Sequence, residues 1–154
     1  MKHNHEPIFW GGAFIDLEKS YDWVPRSNLW NVMTDIKING TTLKILNEYY
    51  VGNVAYVKIG KELWDPFEIT KGLRQGCSLS PILFNTYVEK TRDHWKKSCQ
   101  AMGVPIEESK CLCSLNYADD QVIIAQDAHN LEFILKRLNK AYKEGGLTIN
   151  LIKR

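Results

Sequence analysis

The sequence predicts an α+β fold, an antiparallel layer of short strands backed by amphipathic helices, and three observations carry that prediction. Short apolar runs are bounded by turn residues, most clearly on either side of Asn116-Tyr117-Ala118-Asp119-Asp120-Gln121. Other stretches repeat apolar residues at helical spacing, as in Leu131, Ile134, Leu135, Leu138 and Tyr142. Between residues 54 and 69 the period shortens to two around Gly60-Lys61, the pattern of a hairpin.

In chain order, Met1 to Pro7 is a polar start expected to fray. Residues 8–17 read as a strand interrupted by Gly11-Gly12. Its alternation sets Ala13, Ile15 and Leu17 on one face and Phe14 and Asp16 on the other. Pro25 is placed to open a helix carrying Leu29, Trp30, Val32, Met33 and Ile36, which stops near Asn39-Gly40. Thr41 opens a second helix through Leu43, Ile45, Leu46 and Tyr49, closed near Gly52. The 54–69 hairpin follows. Lys71-Gly72-Leu73-Arg74-Gln75-Gly76-Cys77 is a glycine-bounded loop, and Ser80-Pro81 reads as the start of a helix running towards Trp95. The basic residues at the end of that helix, Lys90, Arg92, Lys96 and Lys97, fit a solvated face, with phosphate contact as the alternative. Residues 103–108 read as a loop leading to strands at 110–117 and 121–126. Asp127 or Asn130 caps a last helix, Gly145-Gly146 closes it, and residues 147–151 form a final strand.

A length of 154 residues suits one domain with a real core, and 44% hydrophobic with 25% charged residues excludes a disordered chain. A net charge of +2 excludes a strong whole-chain field, so any basic surface is local. Cys77, Cys99, Cys111 and Cys113 lack zinc-site spacing; Cys111 and Cys113 read as small apolar residues of a strand. No apolar run is long enough to span a membrane, and no signal segment opens the chain, so an intracellular setting, nucleus or cytoplasm, is expected.

Chemistry concentrates in the acids. Asp119 and Asp120 lie at the tip of a hairpin whose flanks are apolar. Two like charges at roughly 4 Å repel by about 4 kcal/mol at an effective dielectric near 20. Either the pair is a solvated turn or a cation repays it, and magnesium with substrate phosphate is the suited partner. Asp16 ends an otherwise apolar strand, where it either caps the next turn or joins those acids. The Gly72–Gly76 loop running to a helix start offers oriented amides to a phosphate, without the Lys-Ser/Thr ending of a nucleotide-binding P-loop.

Four stretches, in order, resemble the reverse transcriptases of non-long-terminal-repeat, LINE-like retrotransposons, which are related to group II intron enzymes. They are Ala13-Phe14-Ile15-Asp16-Leu17-Glu18-Lys19-Ser20-Tyr21-Asp22 with Val24-Pro25, residues 72–85, Tyr117-Ala118-Asp119-Asp120, and Gly146-Leu147-Thr148-Ile149-Asn150 with Lys153. The resemblance implies a palm with a ferredoxin- or RRM-like antiparallel sheet and part of the fingers over residues 1–154, truncated at both ends. It implies an RNA-directed DNA polymerase whose partners are an RNA template, a DNA primer and a deoxynucleoside triphosphate, with the remaining fingers and thumb supplied by a parent polyprotein. Two Mg2+ ions, replaceable by Mn2+, would be held by Asp16, Asp119, Asp120 and the carbonyl of Leu17. Tyr21 would exclude a ribose 2′-hydroxyl, Arg74, Gln75 and Gly76 would lie against the nucleotide, and Lys153 would protonate the leaving pyrophosphate. Ser20 stands where the family usually has alanine. Two alternatives are a retroelement remnant without catalysis, at most a weak nucleic-acid-binding module, and a metal-dependent phosphohydrolase, against which Tyr21 and the Gln75 loop argue.

Overall fold

The computed structural model describes residues 11–107, 110–117 and 120–150. The chain divides into two compact units, Met1–Ser20 with Val88–Arg154, and Tyr21–Tyr87.

The first unit is built on a three-stranded antiparallel sheet of β1 (Gly11–Ile15), β8 (Ser114–Tyr117) and β9 (Asp120–Ala125), with β9 central. Alternation decides its two faces, as the sequence implies. Ile15, Leu17, Ile123 and Ala125 are buried, whereas Phe14 and Asp16 lie on the opposite face. Helix α4 (Ala128–Glu144) packs across β9 and β1 and buries Ile134, Leu138 and Tyr142. Asp127 starts it: its carboxylate accepts the Asn130 amide at 2.8 Å and satisfies one orphan donor of the first turn. Helix α3 (Ser80–Cys99) contributes Trp95, whose indole donates to the Ile134 carbonyl at 3.1 Å.

Three expectations change here. Within the expected 103–108 loop the described residues form a strand: β6 (Val104–Glu107) pairs with β7 (Lys110–Leu112), so the 110–117 run is two strands serving different ladders. Pro105 concealed β6, because proline cannot donate to a ladder, yet on a two-stranded edge no donation is needed; the register shifts between Pro105 and Glu107. The final strand reduces to one bridge, Leu17 to Ile149, over the part described. Arg92 does not belong to a solvated face but is buried at 7% exposure.

The second unit holds α1 (Arg26–Asp35), α2 (Gly40–Tyr50) and a hairpin of two short ladders. β2 (Val54–Ala55) pairs with β5 (Phe67–Glu68), and β3 (Lys58–Ile59) pairs with β4 (Glu62–Leu63) around Gly60 at φ +62°. Leu29, Met33 and Tyr50 are core residues, but Ile36, Ile45 and Tyr49 are exposed, so only part of each helical stripe is buried. The guanidinium of Arg26 reaches three backbone carbonyls, those of Gly72 at 2.9 Å, Tyr50 at 3.1 Å and Ile69 at 2.7 Å, and ties the hairpin's exit to α2. Among the described residues, no helix is long and apolar enough to cross a membrane.

Candidate functional site

The open face of the sheet carries the acids. Ile15 pairs with Gln121 between β1 and β9, and continuing that antiparallel register by one position sets Asp16 beside Asp120. Directly opposed residues carry their Cβ atoms about 4.5–5.5 Å apart, close enough for two carboxylates to share a cation. Both line one cavity of about 540 Å³ with Phe14, Leu115, Tyr117 and Asn150. The sequence brings this about through parity alone: Asp16 is two residues from Phe14, and Asp120 is two from Val122, all on the face turned from the core.

Asp16 is tied to Asn150. The Asn150 side-chain amide donates to its carboxylate at 3.2 Å, and the Asn150 backbone N–H donates to its carbonyl at 2.8 Å. Glu18 N–H donates to the Thr148 carbonyl at 2.9 Å. These bonds flank Leu17, which bridges Ile149 as a non-hydrogen-bonded antiparallel pair. No local pattern marks Asn150 for this role, because its partner lies 134 positions away. Phe14 at 89% and Tyr117 at 84% exposure were likewise unassigned, although their parity with the acids identifies their face. Asp119 and Lys153 lie outside the described residues. Among the described residues, no three His, Cys, Asp or Glu side chains cluster. The donors that do meet are carboxylate oxygens on a solvent-reached face, the set hard divalent cations take.

The remaining expected residues sit in the second unit. Tyr21 stacks on Phe84 with ring centroids 4.6 Å apart, and its carbonyl accepts Leu73 N–H at 2.8 Å. Gln75 donates to Asp22 at 3.0 Å. Arg74 donates to the Asn53 side chain, and its guanidinium lies over the Tyr49 ring, 4.2 Å from the centroid. Gly76 takes φ +78°, which glycine adopts without strain. Arg74, Gln75, Asp22 and Arg26 border a second cavity of about 660 Å³. The expected phosphate cradle at the start of α3 is partly used internally. The Leu79 amide and then the Tyr49 hydroxyl hold the Cys77 thiol below the usual thiol range, and Ser80 N–H donates to the Cys77 carbonyl at 3.1 Å. Ser80 turns its hydroxyl to the Arg74 carbonyl at 2.5 Å instead of capping the helix.

Beneath the acids, Tyr142 is buried and its hydroxyl donates to Gln121 at 2.8 Å. Burial pushes its pKa up to about 12 from an ordinary 10.0; the nearby Arg92 charge pulls the other way. The neutral form is thus favoured by folding, so this contribution is complete below pH 10 and is lost as pH rises towards 12. Two units correspond to about 2–3 kcal/mol. Urea midpoints of wild type and Tyr142→Phe are expected to converge across that window; parallel curves would refute it.

Residues 2–154 match the sequence profile of a family described as reverse transcriptase (RNA-dependent DNA polymerase). The chain belongs to the reverse transcriptase family. It is 28% identical over 118 residues to the transposon TX1 uncharacterized 149 kDa protein of Xenopus laevis, covering 77% of this chain and 9% of that protein. It is 24% identical over 135 residues to the retrovirus-related Pol polyprotein from type-1 retrotransposable element R2 of Nasonia vitripennis, covering 88% of this chain and 13% of the polyprotein. The chain therefore spans about a tenth of the length of these curated relatives. Both relatives are non-LTR retrotransposon proteins, in line with the LINE-like motifs. Among solved structures, the fold is similar to telomerase from Candida tropicalis in complex with the TWJ fragment of telomeric RNA. The TM-score is 0.75 at 16% identity, over 97% of this chain and 26% of that one. It is also similar to apo telomerase from the same organism truncated from its C-terminal domain, with a TM-score of 0.63 at 14% identity, over 94% and 31% of the two chains. The α+β fold of this reverse transcriptase chain is that of a reverse-transcriptase palm.

Proposed function

We propose that this chain is the palm, with part of the fingers, of a polymerase that copies RNA into DNA inside the cell. The observation that carries the reading is the meeting of Asp16 and Asp120, from strands far apart in sequence, at one cavity on the open sheet face. In this reading Asp16, Asp119, Asp120 and the Leu17 carbonyl would hold two divalent cations, Mg2+ or Mn2+. Bound there, the ions would supply charge neutralisation at the attacking and leaving oxygens. The primer 3′-hydroxyl releases its proton to solvent as its oxygen bonds to the α-phosphorus of a deoxynucleoside triphosphate, the bond from that phosphorus to the oxygen bridging to the β-phosphate breaks, and pyrophosphate leaves. Asn150 orients the Asp16 carboxylate through its 3.2 Å hydrogen bond. The Tyr21 ring, fixed by its stack on Phe84, excludes the 2′-hydroxyl of a ribonucleotide. Arg74, Gln75 and Gly76 lie against the nucleotide and the templating base, and Lys153 gives a proton to the pyrophosphate. Positioning and charge stabilisation are what phosphoryl transfer asks of a protein.

Joined to the segments that flank the corresponding stretch in its relatives, the chain is expected to extend a DNA primer on an RNA template. Asp119→Asn should reduce extension by orders of magnitude, and a chelator should abolish it. Extension that survives both would overturn the reading. No extension under Mg2+ or Mn2+ would favour a remnant that binds nucleic acid without catalysis.

A further inference from the structure

Below the acid-bearing hairpin, on the core side of the sheet, lies a polar cluster that apolar packing would not build. Arg92 on α3 and Gln121 on β9 are 7% and 4% exposed. The Arg92 guanidinium donates through Nη1 to Asn116 Oδ1 on β8, and through Nη2 to Glu89 Oε2 at 3.0 Å, one turn back on its own helix. From α4, the Tyr142 hydroxyl donates to Gln121 Oε1 at 2.8 Å. Asn116 and Gln121 are cross-strand partners, and the next pair outward is Tyr117 with Asp120. Each strand of the hairpin is therefore gripped one pair below its acidic end, one strand by α3 and the other by α4.

The cluster contributes little as a stability device. Arg92 Nε and Gln121 Nε2 are buried without an acceptor among the described residues, and a buried unpaired donor is destabilising. The ion pair from Arg92 ends on Glu89, whose side chain is 57% exposed, and a pair open to solvent on one side adds little to stability. What such a cluster supplies is direction: a planar fork fixes where its acceptors lie, whereas an apolar contact tolerates sliding. Among the described residues, no other side-chain anchor of this kind lies beneath the Tyr117–Asp120 pair.

We propose that Arg92, with Tyr142, is a positioning residue that sets the geometry of Asp120 by acting through Asn116 and Gln121. The inference rests on the reading of Asp16 and Asp120 as cation ligands. It is tested on the 154-residue chain by amide hydrogen exchange and by Mn2+ binding followed with electron paramagnetic resonance. In Arg92→Met, exchange at Asp120 and Val122 is expected to quicken about tenfold while the interior of α4 keeps its protection, and Mn2+ affinity is expected to fall about tenfold. Arg92→Lys should not restore either, because a point charge cannot bond Glu89 and Asn116 as a fork. Asn116→Ala removes only the hairpin end of the contact, and it is expected to act in the same direction should Arg92→Met fail to fold. Unchanged hairpin exchange would overturn the proposal. So would uniform loss of protection through β1 and α4, which marks a merely structural residue, or Mn2+ affinity unchanged from a wild type that binds. A wild type that binds no Mn2+ would sink the cation-site reading instead, and hairpin exchange alone would then decide the role of Arg92.

Discussion

Asparagine at position 16, in a polymerase that carries this segment, is expected to slow primer extension at least ~1,000-fold while leaving the fold in place. The substitution is nearly isosteric, so the Asn150 amide keeps an oxygen acceptor at 3.2 Å and the backbone bond at 2.8 Å is untouched. What is lost is a full negative charge at the cavity shared with Asp120. Charge stabilisation worth several kcal/mol in the transition state corresponds to about a thousandfold or more in rate. Single-turnover extension at saturating Mg2+, with thermal melting as a control for folding, measures it. A rate within tenfold of wild type would remove Asp16 from the catalytic set.

A large effect on stability is expected at Gly72, where a close backbone approach and a left-handed φ act together. An added Cβ would lie 2.7 Å from the Asp22 carbonyl oxygen and 2.9 Å from its Cα, and φ there is +84°. The loop has no room to retreat, because Gly72 N–H donates to the Val24 carbonyl at 2.9 Å and the Gly72 carbonyl accepts Arg26 Nε at 2.9 Å. Left-handed backbone costs an alanine about 1 kcal/mol, and overpacking against backbone adds about 1–3. Gly72→Ala is thus expected to cost about 2–4 kcal/mol, a drop in Tm of roughly 5–15 °C at this size. Gly60→Ala separates the two causes: φ is +62° but nothing lies within 4 Å of the added Cβ, so only the backbone cost of about 1 kcal/mol applies. Calorimetry that returned equal losses at both positions would exclude the steric half.

Local patterns carried the elements bounded by strong punctuation. Pro25 and Gly145-Gly146 stand at the edges of α1 and α4, because φ restriction and φ freedom act within one or two residues, whereas Asn39-Gly40 opens α2 and α1 already stops at Asp35. Strand β6 was hidden for the complementary reason. Gly103 and Pro105 both argue for a loop, yet Gly103 is there because a side chain would meet the Leu112 carbonyl of the adjoining strand at 2.4 Å. The break between β7 and β8 follows from which strand each one meets, β6 or β9.

The order of residues along the chain determined, by itself, the four reverse-transcriptase motifs and the face on which Asp16 lies, since parity along a strand is a property of neighbours in sequence. Only the tertiary structure decided that Arg92 is buried among polar partners and that Asn150 holds Asp16. Only packing against distant segments sets the solvation of a charge and the partner of an amide, and a short window of sequence contains neither.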